Sequence, residues 1–181
     1  MQRRHFLFAL SGITLAMATR SYGAASADKG KVTIMQFADD GQMMGRVMLA
    51  KVSKDAEWKQ RLSPLAYQVT RKQGTERAFS QPGYDRKDPG LYRCVCCDNA
   101  LFNANTKYDS HTGWPSFWRP IAVDNVRDIE DNLLGMTRTE VQCALCDAHL
   151  GHVFDDGPQP TGLRYCINNV ALRFIPEAKR G

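Results

Sequence analysis

The chain has 181 residues, 43% of them hydrophobic and 24% charged, a composition that fits one globular domain with appendages and excludes disordered or collagen-like chains. Its formal charge is +5, but the first 27 residues hold three arginines and no acid, so the remainder carries only +2. A charge that small gives no electrostatic case for nucleic acid or an anionic membrane as partner.

Residues 1–27 read as a signal peptide, with a charged start, an apolar run from Phe6 to Ala18 and small residues at Ala25 and Ala27. The run is too short to span a bilayer comfortably, so cleavage with no stable membrane anchor is expected. Arg3-Arg4-His5-Phe6-Leu7 resembles the core of a twin-arginine signal, which places the mature chain outside the cytoplasm, in the periplasm. An ordinary secretory leader or a retained N-terminal helix are the alternatives. Because no cysteine precedes Cys94, a lipid-modified cysteine at the cleavage point is excluded.

Residues 28–52 form an extension in which two weakly alternating runs flank Ala38-Asp39-Asp40-Gly41, a pattern for two short strands around a turn. No function follows from this segment. Lys54 to Leu62, with Trp58, predicts a short helix. A second helix follows, with Ser63 as N-cap, Pro64 at the first helical position and Gly74 just past the end. Beyond Gly74, turn signals such as Pro82-Gly83, Asp88-Pro89-Gly90 and Asp155 to Pro158 separate short apolar runs, among them 136–142, 151–154 and 170–175. This punctuation predicts a mainly β domain with an antiparallel core and short N-terminal helices.

Six cysteines in an exported chain ordinarily suggest disulfides. Their spacing points elsewhere. Cys94 with Cys97 and Cys143 with Cys146 form two Cys-x-x-Cys turns, each of which aims two thiolates at one point, and together they supply the four soft ligands of a tetrahedral zinc site. Four thiolates leave no position for water, so the metal, one Zn2+ per chain, would be structural. Disulfides or a redox Cys-x-x-Cys are the alternatives. Cys96, adjacent to Cys97, is expected to be a spare thiol.

Cys166 stands alone in the strand-like run 162–168. A lone strand cysteine is by default a small buried hydrophobe. Arg164, two residues away and on the same face, offers a positive charge that would favour the thiolate. His149 and His152 follow the second knuckle, and with the metal positions filled by cysteine they become candidates for handling protons. Gly113-Trp114-Pro115-Ser116-Phe117-Trp118 groups three aromatic rings around a proline, which by itself suits core packing.

In order and spacing, Tyr92-Arg93-Cys94-x-x-Cys97, Leu101-Phe102, Gly113-Trp114-Pro115-Ser116-Phe117, Cys143-x-x-Cys146, His149-x-Gly151-His152-Val153-Phe154-x-Asp156-Gly157-Pro158 and Arg164-Tyr165-Cys166-x-Asn168 resemble the B-type methionine sulfoxide reductases. The resemblance begins near Trp58, Leu62-Ser63-Pro64, Tyr67 and Gly74-Thr75-Glu76 and implies a β-tent-like reductase domain over residues 53–176, followed by a tail at 177–181. It implies that Cys166 is the nucleophile toward an oxidised methionine sulfur. The sulfoxide oxygen needs protons to leave, from His149 or, more favourably, His152, while Asn168 orients the substrate by hydrogen bonding. Trp114 receives the substrate's methyl group, with Phe117 and Arg164 completing the binding surface. The family acts on the R epimer in proteins or peptides, and the first products are methionine and a sulfenic acid on Cys166.

Many relatives carry a resolving cysteine two residues before that tryptophan, where this chain has Thr112. Either Cys96 substitutes, or an external thiol reductant, thioredoxin-like or otherwise, reduces the sulfenic acid; the knuckle position of Cys96 favours the external route. Two other readings compete: an exported zinc-ribbon binding module with Cys166 merely buried, and a Cys-His hydrolase built on Cys166 and His152. The export signal and the lack of a basic stripe weigh against the binding module. Consumption of half of a racemic methionine sulfoxide peptide distinguishes a reductase from both.

Overall fold

The computed structural model describes residues 30–53, 55–131 and 138–177. The expected leader and residues 178–181 of the expected tail lie outside them. Within the extension, β1 (Lys31–Phe37) and β2 (Met43–Ala50) pair antiparallel, from Lys31 opposite Ala50 to Phe37 opposite Met43. Val32, Ile34, Val47 and Leu49 alternate onto one face and pack against the domain core. The hairpin is therefore docked. Asn125 brackets its backbone, accepting from Met35 N at 2.7 Å and donating to Met35 O at 2.8 Å.

Two helices follow, α1 (Asp55–Arg61) and α2 (Pro64–Lys72). Ser63 caps α2 as its sequence predicts, its side chain accepting from Ala66 N at 3.1 Å, which satisfies one of the unpaired donors at a helix start. The far end differs from expectation, because the left-handed closing residue is Gln73 (φ 54°), not Gly74. Gly74 is favoured for a different reason: a Cβ there would crowd the Gln68 carbonyl oxygen at 3.0 Å. Both helices hold the knuckles by their backbone. Trp58 Nε1 donates to Cys96 O at 3.3 Å, and Arg71 donates to Cys146 O at 2.8 Å.

The rest of the described chain is antiparallel β. In chain order come β3 (Gly90–Cys94), β4 (Ala100–Asn103), β5 (Lys107–Tyr108), β6 (Ser116–Phe117), β7 (Val126–Asp131), β8 (Arg138–Cys143), β9 (His149–Phe154), β10 (Arg164–Ile167) and β11 (Leu172–Pro176). They form a six-stranded sheet, β5-β6-β10-β9-β8-β7, and a three-stranded sheet, β11-β3-β4. The predicted mainly β architecture with short N-terminal helices is the one observed.

The core is built on aromatic rings. Phe117 stacks on Phe102 with centroids 4.4 Å apart and meets Tyr92 edge-on at 5.0 Å. All three are essentially inaccessible to solvent, and burial of each ring contributes about 2–3 kcal/mol to stability. This corrects the expectation that Phe117 binds substrate. Neighbours on a strand point to opposite faces, so Phe117 enters the core while Ser116 turns to the face that carries Cys166.

Candidate active site and metal centre

Strand register assembles the reactive face. Cys166 on β10 lies directly opposite Ser116 on β6 and His152 on β9, and opposed residues of an antiparallel pair project to the same side of the sheet. Ser116 is in turn opposite Tyr108 on β5. β9 can approach β10 closely here because residue 151 is glycine; a Cβ at Gly151 would lie 2.1 Å from the Cys166 carbonyl oxygen.

The second histidine reaches this face through an irregularity. Val141 pairs with Gly151 but Gln142 pairs with His149, leaving Leu150 as an extra residue in β9. Such a bulge re-aims the following side chain, and the His149 and His152 rings stand 5.5 Å apart. His149 Nδ1 lies 2.6 Å from Glu140 Oε1 and His152 Nε2 lies 3.0 Å from Asp131 Oδ2. A carboxylate only accepts, so these nitrogens carry the protons. That leaves His149 Nε2 unprotonated, and it is buried with no hydrogen-bond partner. Burial holds the His149 pKa below the ordinary imidazole value in spite of the opposing Glu140 hydrogen bond, so the ring is neutral near pH 7. Asp131 is also paired with Arg138 at 2.9 Å.

Around Cys166 the donors are weak ones. Thr112 Oγ1 lies 3.9 Å from its sulfur, and Ser110 links Thr112 to Ser116 at 2.8 and 2.6 Å. Arg164 sits on the Cys166 face as expected, but its guanidinium is engaged by Asp156 through two bonds of 2.8 Å and covers the Phe154 ring at 4.3 Å. Burial pushes the Cys166 pKa up, and the opposing effects of Thr112, Arg164 and Ser116 do not cancel it. Arg164 does favour the thiolate, as expected from its place on the Cys166 face, but burial outweighs it and Cys166 rests as a thiol.

Trp114 and Asn168 are joined through one buried residue that the sequence reading left without a role. Glu76 accepts from Trp114 Nε1 on its backbone oxygen at 3.1 Å and donates its backbone N–H to Asn168 Oδ1 at 3.0 Å. Its carboxylate takes the N–H groups of Asn169 and Val170 at 2.7 and 2.9 Å. Asn168 Nδ2 donates to Leu150 O at 3.0 Å. Both polar atoms of the Asn168 side chain thus hold backbone, and the residue is buried. It fixes the end of β10 against the β9 bulge and the loop under Trp114.

At the other end of β3 and β8, the sulfurs of Cys94, Cys97, Cys143 and Cys146 all lie within 4.8 Å of one another and can hold a metal ion. Cys94 and Cys146 are 3.7 Å apart and Cys97 and Cys143 3.5 Å, close to the ~3.8 Å edge of a tetrahedron with metal–sulfur bonds of about 2.3 Å. Hydrogen bonding among the sulfurs, chiefly with Cys143, pushes the Cys94 thiol well above its ordinary value while Cys143 itself is held well below its own; four thiolates side by side would repel one another without a cation among them. Asn99 Nδ2 points at Cys143 Sγ from 3.6 Å. Cys96 stands outside this cluster's ligand set, its sulfur 3.5 Å from Thr70 Oγ1 on α2.

A family model described as the SelR domain matches residues 62–176. The chain is 55% identical over 125 residues to the peptide methionine sulfoxide reductase MsrB of Hahella chejuensis, covering 68% of this chain and 90% of that one. It is 49% identical over 129 residues to the MsrB of Pseudomonas aeruginosa strain PAO1, covering 71% and 98%. With the chloroplastic peptide methionine sulfoxide reductase B1 of Oryza sativa subsp. japonica it shares 56% identity over 121 residues, 66% of this chain but only 56% of that longer relative. The fold and its cysteine-histidine face are those of a sulfur-directed oxidoreductase domain. The chain belongs to the B-type methionine sulfoxide reductase family, and the enzyme activity is that of a peptide methionine sulfoxide reductase.

Because burial keeps Cys166 protonated, its alkylation by iodoacetamide should accelerate with pH and still be rising at pH 9.0, the ordinary thiol value. Arg164→Ala removes a favourable charge and should displace the profile to higher pH. A rate that is flat from pH 7 upward in the unsubstituted protein, followed by mass spectrometry of the Cys166 peptide, contradicts this assignment.

Proposed function

We propose that the protein reduces methionine (R)-S-oxide in oxidised proteins and peptides, using Cys166 as nucleophile and an external thiol to complete the cycle. The observation that carries this reading is the register that sets Cys166 between Ser116 and His152, with the unpartnered Nε2 of His149 beside the same face. Trp114 supplies an apolar wall for the substrate methyl group, which directs the sulfoxide oxygen toward the polar side. The thiol proton of Cys166 passes to an imidazole nitrogen, and the resulting thiolate attacks the electrophilic sulfur. That proton then goes to the sulfoxide oxygen. Oxygen ends on Cys166 as a sulfenic acid and methionine departs, so sulfur is reduced by two electrons and cysteine oxidised by two. Two external thiols restore Cys166, forming their own disulfide and water.

The external route is supported by the position that a resolving cysteine would occupy. Thr112 stands there, its hydroxyl in contact with Cys166, and a hydroxyl cannot form the disulfide. Cys96 is buried against Thr70 behind the knuckle. Without reductant, the enzyme should yield about one methionine per chain and a trappable sulfenic acid. Cys166→Ser should abolish even that turnover, and Cys96→Ser should leave it intact. With a dithiol, a racemic sulfoxide peptide should be consumed by about half. A Cys96–Cys166 disulfide after a single turnover would overturn the external route, and an unoxidised Cys166 beside reduced substrate would overturn the nucleophile.

The metal we assign to the four thiolates is one structural Zn2+, held by Cys94, Cys97, Cys143 and Cys146. All four sites are taken by sulfur, so the ion would cross-link β3 to the β8–β9 turn without touching substrate. Elemental analysis of the active protein should give one zinc per chain, and Cys97→Ser should lower the melting temperature while folded molecules keep most of their turnover. Active, folded protein without zinc or a comparable metal contradicts the assignment.

We also assign the protein to the periplasm, on the Arg3-Arg4 pair and the Ala25-x-Ala27 end of the leader. The paired change Arg3→Lys and Arg4→Lys should retain the precursor inside the cell, as immunoblots of periplasmic fractions would show. Undiminished export of that variant argues for the ordinary secretory route.

A further inference from the structure

Methionine is distributed unevenly along this chain. Of its seven methionines, Met35, Met43, Met44 and Met48 fall within 14 residues of the extension, and the reductase region from 53 to 177 contains only Met136. Three of the four are far more exposed than an apolar side chain requires: Met43 63%, Met44 68% and Met48 62%. The inner face of the hairpin already has its apolar side chains in Val32, Ile34, Val47 and Leu49, packed on the core. On the outer face Met48 stands opposite Thr33, which is also exposed.

The hairpin is fixed at the knuckle end of the molecule. Asn125 holds Met35, Val52 N donates to Leu145 O at 2.9 Å, and Lys51 pairs with Asp147 at 2.6 Å. Arg93 donates to Phe37 O and pairs with Asp39, both at 2.8 Å, and Arg46 pairs with Asp124 at 2.9 Å. These ties engage both strands and hold the hairpin against the segments around Leu145, Asp147 and Asn125.

We propose that the hairpin is an oxidant trap regenerated by the protein's own chemistry, in which Met43, Met44 and Met48 take oxygen from hydrogen peroxide and Cys166 of a second copy removes it. This inference rests on the function proposed above. In the first step a thioether sulfur attacks one peroxide oxygen, the O–O bond breaks, an S–O bond forms and water leaves; methionine loses two electrons and peroxide gains them. In the second, Cys166 of another molecule takes the oxygen as a sulfenic acid, and two external thiols return it as water. For the R epimer, each cycle converts one peroxide and two thiols into a disulfide and two waters and returns the methionine. Peroxide makes both sulfoxide epimers and this family returns one, so a single passage restores about half of each site.

The test uses an isotope-labelled Cys166→Ser chain, oxidised with peroxide and freed of it, as substrate for unlabelled active enzyme with dithiol. A free methionine (R)-S-oxide peptide is present in the same tube. Mass spectrometry of the labelled hairpin peptide should show oxygen adducts on Met43, Met44 and Met48 falling by about half, at a rate proportional to the active enzyme. Unlabelled Cys166→Ser in its place should leave them unchanged. Hairpin sulfoxides that persist while the free peptide is reduced overturn the trap and leave the proposed function standing. If both persist, the proposed function fails and the trap fails with it.

Discussion

The cluster of four cysteine sulfurs is the constraint on which the rest of the molecule depends. It joins the end of β3, in the three-stranded sheet, to the turn between β8 and β9 in the six-stranded sheet. β9 runs from that turn straight to His149 and His152, and β10 returns beside it with Cys166. Both helices add to the joint, through Trp58 to Cys96 O and Arg71 to Cys146 O. A domain of this size has a modest core, and a metal held by the four sulfurs, as proposed above, would cross-link segments distant in sequence, limiting the freedom of the unfolded chain as well as fixing the folded one. The chemistry is thereby set on strands whose origin is pinned, several residues away from the pin.

The reactive face combines opposing electrostatic choices. Cys166 is buried enough to remain a thiol, while Arg164, the cation nearest to it in sequence, is matched by Asp156. His149 is kept neutral by burial and oriented by Glu140. The resting site consequently holds little uncompensated charge. On the proposed mechanism, charge would develop only when a sulfoxide arrives, an arrangement in which fixed dipoles are most effective.

What the sequence disclosed was local. The two Cys-x-x-Cys turns, the Ser63-Pro64 helix start and the turn-bounded strands were legible because each pattern lies within a few residues. Partners distant in sequence were not: Asn125 with Met35, Glu76 with Asn168 and Asn169, and Arg71 with Cys146 are brought together only by the fold. Phe117 was misplaced because membership in a motif says nothing about which face of a strand a residue occupies; Ser116, one position earlier, has the side facing Cys166. Asn168 was read as a substrate contact because its amide is versatile, and the structure adds a second use, one bond from each polar atom to backbone of two other segments. Glu140 and Asp131, which orient the histidines, left no signal at all, since isolated acids on strands are ordinarily solvent-facing.

Glu76 belongs to neither sheet, yet it fastens the indole of Trp114 with its carbonyl and the chain just after Cys166 with its amide and carboxylate. Trp114 and Cys166, the wall and the nucleophile of the proposed function, therefore share one mounting. A mirror-image sulfoxide differs only in how methyl and oxygen are exchanged about the same sulfur, so telling the two apart depends on the angle between wall and nucleophile more than on how tightly either grips. Thermal motion that tilts the two together preserves that angle. On the function proposed above, handedness would rest on a single loop residue's backbone, and loosening there would blur the distinction between mirror images before it weakened binding.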